Sequence, residues 1–334
     1  MPHPGPAVAI AIAAGLIACL GTRALIQLLR RGLVLDRPNE RSSHATPIPR
    51  GGGIAPVGAI VLAWIGLVAA GLIGPGVLFV LTGAVLLAAV SWLDDLGGLS
   101  PATRLFAQAA AVIGGLVVEV SAGYAFQGWL PPEFDIVAAA LLWVWFVNLF
   151  NFMDGIDGLA GSEAAAIALG LLVFASWGIG QDPGLAALSG AIALAAVGFL
   201  VWNWAPARIF LGDVGSVPLG YLLGFPLLDT ATRGHWKLAL ILPLYFLADA
   251  TLTLLRRFAR GERVWEAHRQ HFYQRAVQRG LGHAAITARV IFANLLLIGC
   301  GWAAENGAGL YALAAAVAIV VLLLASLAGA RRLR

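Results

Sequence analysis

Apolar residues in this chain run for the length of a membrane crossing, and polar residues are confined to short separators. The runs are commonly about 17–25 residues long, enough for a helix to traverse a hydrocarbon layer. No alternation of period two suggests barrel strands. The runs and their glycine and proline breakers predict about eleven helices, at 7–29, 54–73, 77–93, 105–121, 136–153, 159–178, 185–203, 217–232, 237–255, 285–303 and 309–330. No internal repeat is visible. The expected fold is an all-α integral membrane protein, a bundle of about 10–11 transmembrane helices. It is expected to be a single polytopic domain over 1–334, with its motifs between 36 and 275.

Composition agrees. Hydrophobic residues make up 60% of the chain and charged residues 11%, where a soluble domain carries about 25% charged. Cys19 and Cys300 lie inside apolar runs and read as small core residues without a disulfide. No Lys or Arg precedes the first run, and Arg23, Arg30 and Arg31 follow it. That polarity is wrong for a cleaved signal peptide and predicts a retained helix with its N-terminus outside. Segments 30–53 and 256–284 and the arginine-rich tail then share one side with 94–104 and 204–216, while the other side holds only Arg233 and Lys237. By the positive-inside rule the arginine-rich side is the cytoplasm. The positive charge follows the membrane side, so the bilayer is the expected partner and nucleic acid is not.

The unusual polar clusters all fall on that side. The first loop, from Asp36 through Asn39, Arg41 and His44, ends in Arg50-Gly51-Gly52-Gly53, where free N–H groups beside an arginine suit an anion nest. Asp94-Asp95 closes a predicted helix, where adjacent acids and the helix dipole are unfavourable without a cation or cationic partner. Ser100-Pro101 looks like the next helix start, followed by Arg104. At the end of the run 136–147, helical spacing would place Asn151, Asp154 and Asp157 on one ridge. Asp213, between Gly212 and Gly215, is an oxygen donor on a tight turn of the kind Mg²⁺ takes together with substrate phosphates. Ser216 reads as a helix cap. In 256–284, His268, Arg269 and His271 suit a pyrophosphate, or the stretch is a basic amphipathic helix on anionic lipid. Asp249 and Glu119 read as paired or cavity-facing, and Glu133, Asp135 and Asp182 as outside-loop residues. Carboxylates with glycine turns imply a divalent cation, and Arg with His imply anionic oxygens. Together they suggest a Mg²⁺–pyrophosphate substrate and, in a membrane, a lipid co-substrate.

The ordered set DRPNERSSHATPIPRGGG, SWLDDLGGLSPATR, NLFNFMDGIDGLAG, NWAPARIFLGDVGS and HRQHFYQR resembles the polyprenyl-phosphate N-acetylhexosamine-1-phosphate transferases, glycosyltransferase family 4, most nearly the WbpL/WecA-like branch that starts O-antigen synthesis. The resemblance implies transfer of an N-acetylhexosamine 1-phosphate from a UDP-sugar to undecaprenyl phosphate at a bacterial inner membrane, with UMP released and Mg²⁺ or Mn²⁺ as cofactor. It implies Asp213 as principal metal ligand with Asn151 as a second. Asp94, Asp95, Asp154, Asp157 and His271 are the implied catalytic positions, and Arg50, Arg104, Asn203, His268 and Arg269 the implied substrate contacts. Tyr273 and Gln274 stand where relatives carry further histidines, and the triple histidine of the muramoyl-pentapeptide enzymes is absent, which argues against that substrate. Direct attack and an aspartyl-phosphate route both stay open, as do the sugar and whether the protein is a homodimer. The rival class is a secondary transporter of an anionic solute, which would place its acids near the midplane.

Overall fold

A computed structural model of the chain describes residues 5–32, 35–36, 48–119, 123–178, 181–264, 266 and 268–329. The helices, in chain order, are α1 (Gly5–Gly32), α2 (Ile54–Ala69), α3 (Val77–Gly97), α4 (Pro101–Glu119), α5 (Pro132–Phe152), α6 (Leu159–Trp177), α7 (Pro183–Asn203), α8 (Asp213–Thr230), α9 (Trp236–Ile241), α10 (Leu244–Ala259), α11 (Phe272–Gln278), α12 (His283–Ala303) and α13 (Gly309–Gly329). The described strands are β1 (Leu35–Asp36) and β2 (Ile48–Pro49), paired antiparallel. Arg37, Asn39, Arg41 and His44 of the first loop, and Arg331, Arg332 and Arg334, lie outside the described residues.

The chain is an all-α integral membrane protein, and every predicted run falls on a helix. The runs are less uniform than expected. Among the described residues six stretches are long and apolar enough to cross a membrane, or seven if the bent pair Asp213–Ile241 and Leu244–Ala259 is one span. Helix α2 and Pro101–Val117 are apolar but shorter. One of the six stretches, His283–Gly329, breaks at Asn306 and Gly307 so that α12 packs on α13. The run predicted at 237–255 is two helices bent by 74°. The bend falls at Leu242-Pro243, where proline removes a helical hydrogen bond.

Helix α8 is the inner pillar. Every residue from Val214 to Leu227 is buried, as expected of a helix that is apolar all round. It packs against α3, α5, α6 and α2. Trp143 of α5 stacks on Tyr221 at 4.8 Å and donates to its backbone oxygen at 3.1 Å. The Tyr221 hydroxyl donates to Ala111 O at 2.9 Å and ties in α4.

Polar groups collect at the two ends of this bundle. At one end, Arg233 bridges Asp182 at 3.2 Å and Asp229 at 2.7 Å, and His235 meets Glu305 at 2.6 Å. Asp135, expected in a loop, instead sits buried in the first turn of α5, where it accepts from Ala125 N and Phe126 N, both at 2.9 Å. At the other end α3, α5 and α7 finish and α4, α6 and α8 begin. There the triple glycine forms a backbone seam: Gly52 N donates to Phe210 O at 2.8 Å, Gly53 N to Leu211 O at 2.9 Å, and Phe210 N to Pro49 O at 2.9 Å. The expected anion nest is therefore corrected for Gly52 and Gly53, whose N–H groups are spent on main-chain carbonyls. Gly51 has φ +105°, open to glycine. Gly53 lies against Gly215, and a Cβ on it would overlap the Gly215 backbone.

Gly53→Ala is expected to lower stability by about 1–3 kcal/mol through overpacking. The thermal unfolding midpoint of the detergent-solubilised protein reads this, against Gly58→Ala, where a Cβ meets nothing within 4 Å.

Candidate active site

The seam sets Arg50 between two acids. Its Nη2 lies 2.9 Å from Asp95 Oδ1 and 2.8 Å from Asp213 Oδ1. Asp213 opens α8 directly after Gly212, whose φ of +72° turns the chain into the helix. At a helix N-terminus a carboxylate is favoured by the dipole. Asp94 and Asp95 have the opposite situation, in the last turn of α3. Each is compensated from outside its helix. Asp95 takes Arg50 and accepts from Val214 N at 3.3 Å. Asp94 takes Arg104 Nη1 at 3.0 Å and accepts from Leu99 N at 2.5 Å. Helix α4 starts at Pro101, and Ser100 Oγ accepts from Thr103 N at 3.1 Å, as the sequence indicates.

Helix α5 brings the amides. Asn151 Nδ2 donates to Ser216 Oγ at 3.0 Å, and Ser216 Oγ donates to Gly212 O at 3.2 Å. Asn148 Nδ2 donates to Gln108 Oε1 at 2.6 Å. Asp94, Arg104, Gln108, Asn148, Asn151 and Asp213 all line one cavity of about 600 Å³. The rest of its wall is mainly apolar, with Leu105, Leu141, Leu254, Leu255 and Phe258 among the residues. The cavity thus has a polar head at the end of the bundle and an apolar body along α4, α5 and α10.

The predicted ridge of Asn151, Asp154 and Asp157 does not form. Helix α5 ends at Phe152, so both acids lie in a turn and diverge. Asp154 is half-buried and its carboxyl is pushed up to about 7, first by burial and then by the negative charge of Asp213, with Arg50 opposing. Asp157 is buried and turned into the scaffold. Its Oδ2 accepts from Ala207 N at 3.0 Å and its Oδ1 lies 3.1 Å from His283 Nδ1. Its backbone oxygen accepts from Thr287 Oγ1 at 3.0 Å.

Two further expectations are corrected by satisfied hydrogen bonds. Asn203 is buried, accepts from Gly158 N at 3.0 Å and donates to Ile209 O at 2.9 Å. Both ends of the amide hold backbone, so it clamps the loop after α7 and is not presented to a nucleotide. His271 is 2% exposed and its Nδ1 lies 3.3 Å from Asp249 Oδ1. It caps α11 together with Gln274 and is held against Asp249. His268 and Arg269 are partly exposed. The His268 imidazole is pushed down to about 4, by burial first and then by the positive charge of His271 and Arg257. It is therefore neutral at pH 7. In this stretch the helical residues are the last turn of α10, with Arg256 and Arg257, then α11, which follows the histidines, and the start of α12.

Gln108, Ser216, Asp249 and His283 are organising residues that the sequence did not single out as site groups. The chemistry on offer is clear. Asp213 and Asp95 share the guanidinium of Arg50, and Asp154 feels its charge from the neighbouring turn, leaving an excess of hard oxygen donors beside the cavity head. Among the described residues no three His, Cys, Asp or Glu make a metal cage by themselves. This donor set fits a cation held by one or two carboxylates and completed by water and phosphate oxygens, the habit of Mg²⁺.

Residues 77–231 match the family model described as Glycosyl transferase family 4. The chain is 30% identical over 348 residues to a phospho-N-acetylmuramoyl-pentapeptide-transferase of Mycolicibacterium vanbaalenii, covering 88% of this chain and 94% of that one. It is 29% identical over 312 residues to a decaprenyl-phosphate N-acetylglucosaminephosphotransferase of Mycobacterium tuberculosis, covering 83% and 77%. It is 28% identical over 261 residues to a "Probable undecaprenyl-phosphate N-acetylglucosaminyl 1-phosphate transferase" of Bacillus subtilis, covering 75% and 71%.

Asn203→Ala strands the Gly158 N–H and the Ile209 carbonyl, a loss of about 1–3 kcal/mol. A fall in the thermal midpoint without any nucleotide present is the expected result. An unchanged midpoint would return Asn203 to a ligand role.

Proposed function

The chain belongs to glycosyl transferase family 4, and on that premise we propose that it transfers an N-acetylhexosamine 1-phosphate from a UDP-sugar to undecaprenyl phosphate, releasing UMP. The observation that carries the reading is the cavity with an Asp213–Asn151 and Asp94–Arg104 head and an apolar body. An isoprenoid chain matches the apolar walls, and its phosphate is drawn to Arg104 at the head. The proposed setting is the bacterial inner membrane with this end of the bundle in the cytoplasm. The support is the arginine excess of the segments at this end, Arg50, Arg256, Arg257, Arg260, Arg263, Arg269, Arg275 and Arg279.

The acceptor, undecaprenyl phosphate, is a phosphate monoester with a second pKa near 6, so it is mostly dianionic at pH 7. One of its oxygens attacks the β-phosphorus of the UDP-sugar. The bond from that phosphorus to the bridging oxygen breaks, and UMP leaves with the electron pair. Arg104 orients the attacking phosphate, and Asp94 fixes Arg104. Asp213 and Asp95, set by Arg50, and Asn151 would hold Mg²⁺, which supplies charge neutralisation on the pyrophosphate. Asp154 adds a carboxylate beside them. The route needs no strong protein base, since the nucleophile is already ionised.

The relatives are named for both N-acetylglucosamine and muramoyl-pentapeptide transfer. The hexosamine reading rests on His271-Phe272-Tyr273-Gln274, which lacks successive histidines. A role at the start of O-antigen or a related envelope polysaccharide is part of the same proposal.

Incubation with undecaprenyl phosphate, Mg²⁺ and a panel of UDP-N-acetylhexosamines should release UMP with one or two of them, and chelation should stop it. UMP release only with the muramoyl-pentapeptide donor would overturn the sugar assignment. Asp213→Asn is expected to lower turnover roughly 100-fold or more, the scale of losing a preorganised charge partner. Near-normal turnover would remove Asp213 from the metal role.

A further inference from the structure

A heavily bonded carboxylate outside the cavity is Asp249, on α10, with 0% exposure. Its Oδ1 accepts from Phe272 N at 2.9 Å and lies 3.3 Å from His271 Nδ1. Its Oδ2 accepts from Tyr273 N at 3.3 Å. The hydroxyls of Tyr245 and Thr253 each reach it at 3.4 Å. A buried carboxylate with this many donors is a fixed point, since removing it strands several polar groups at once. What it fixes is the first turn of α11, and so the segment 268–271 just before it.

The fixed point is linked to the acids. The Tyr273 side chain is fully buried, and its hydroxyl donates to Phe152 O at 3.0 Å, one residue beyond Asn151 and two before Asp154. Gly155 packs so closely on that hydroxyl that a Cβ there would overlap it. A continuous path therefore runs from Asp249 through the α11 backbone and Tyr273 to the turn carrying Asp154. None of residues 268–275 lines the cavity assigned to the lipid.

We infer that Asp249 is a positioning residue for the UDP-sugar. It seats the His268–His271 segment on the acidic end of the bundle, and Tyr273 transmits that position to the 152–155 turn. The inference rests on the transferase reading for its kinetic part and stands apart from it for its structural part. Asp249 does not touch substrate; it acts through the segment that does.

The test uses the full chain in detergent or membranes. Asp249→Asn keeps the shape but places an amide against the backbone N–H donors. The KM for UDP-sugar should rise about tenfold or more, with KM for undecaprenyl phosphate within about twofold. Tyr273→Phe, which loses one hydroxyl, should raise the UDP-sugar KM several-fold. In parallel, limited trypsin digestion should cut the arginines at 256–275 faster in Asp249→Asn than in wild type, and Asp249→Glu should restore protection in part. Equal loss for both substrates with a lower thermal midpoint means a merely structural carboxylate and overturns the inference. Unchanged kinetics in folded Asp249→Asn overturns it as well. Should the wild-type chain release no UMP with any UDP-sugar, the transferase reading fails alone, and unchanged trypsin protection in Asp249→Asn is then the result that removes the seating.

Discussion

One ion-pair constraint sets the architecture of the polar end. Carboxylates at the edge of a lipid-embedded bundle are costly unless paired or ligated. Asp95 closes α3 and Asp213 opens α8, and the Arg50 guanidinium lies within 3 Å of both. Arg50 reaches them only because the glycine seam brings its strand against residues 210–215. Take away the guanidinium and the two helix ends repel; take away the seam and the guanidinium has no fixed place. The end of α3, the start of α8 and the entry to α2 are thereby one unit.

The remaining polar residues divide by what their hydrogen bonds leave over. Asp157, Asn203, His271 and Asp249 are buried and committed to backbone or to one another. They hold loops in place. Asp94, Arg104, Asn148, Asn151 and Asp213 line the cavity. Buried polar groups are nearly always partnered, so the division follows from burial rather than from residue type. Asp154 and Asp157, three apart in sequence, part because α5 stops at Phe152: Asp157 is committed to the Ala207 backbone, while Asp154 stays half-buried in the turn.

This also explains what was legible in the sequence. Apolar runs gave the helices, since lipid demands them without interruption. The Asp94-Asp95 pair, Asp213, Asn151 and Arg104 could be read as one site because their strain needs a shared remedy. The end of α5 could not, because a helical ridge and a turn share the sequence NFMDGIDG until Tyr273 arrives from over a hundred positions away to occupy the space beside Gly155. The triple glycine suggested an anion nest, but the backbone carbonyls at 210–211 that take up the Gly52 and Gly53 N–H groups are invisible to local reading. His271 in its basic loop suited a pyrophosphate, and the buried Asp249 that holds it instead lies on another helix, 22 positions away.

The seam between Gly52-Gly53 and Phe210-Leu211 has a bearing on biogenesis. Its two sides are separated by six helices, α2 to α7, and Arg50 meets Asp213 across 163 positions. A nascent chain that has inserted α1 to α3 presents Asp94 and Asp95 at the bilayer edge before Asp213 exists to complete the cluster. The acidic site is assembled only when α8 threads into the space that α2, α3, α5 and α6 have left for it. Contacts of such long range are slow to form. Premature chains are thus left without the cluster, and truncation anywhere before α8 yields a membrane-inserted but chemically blank protein.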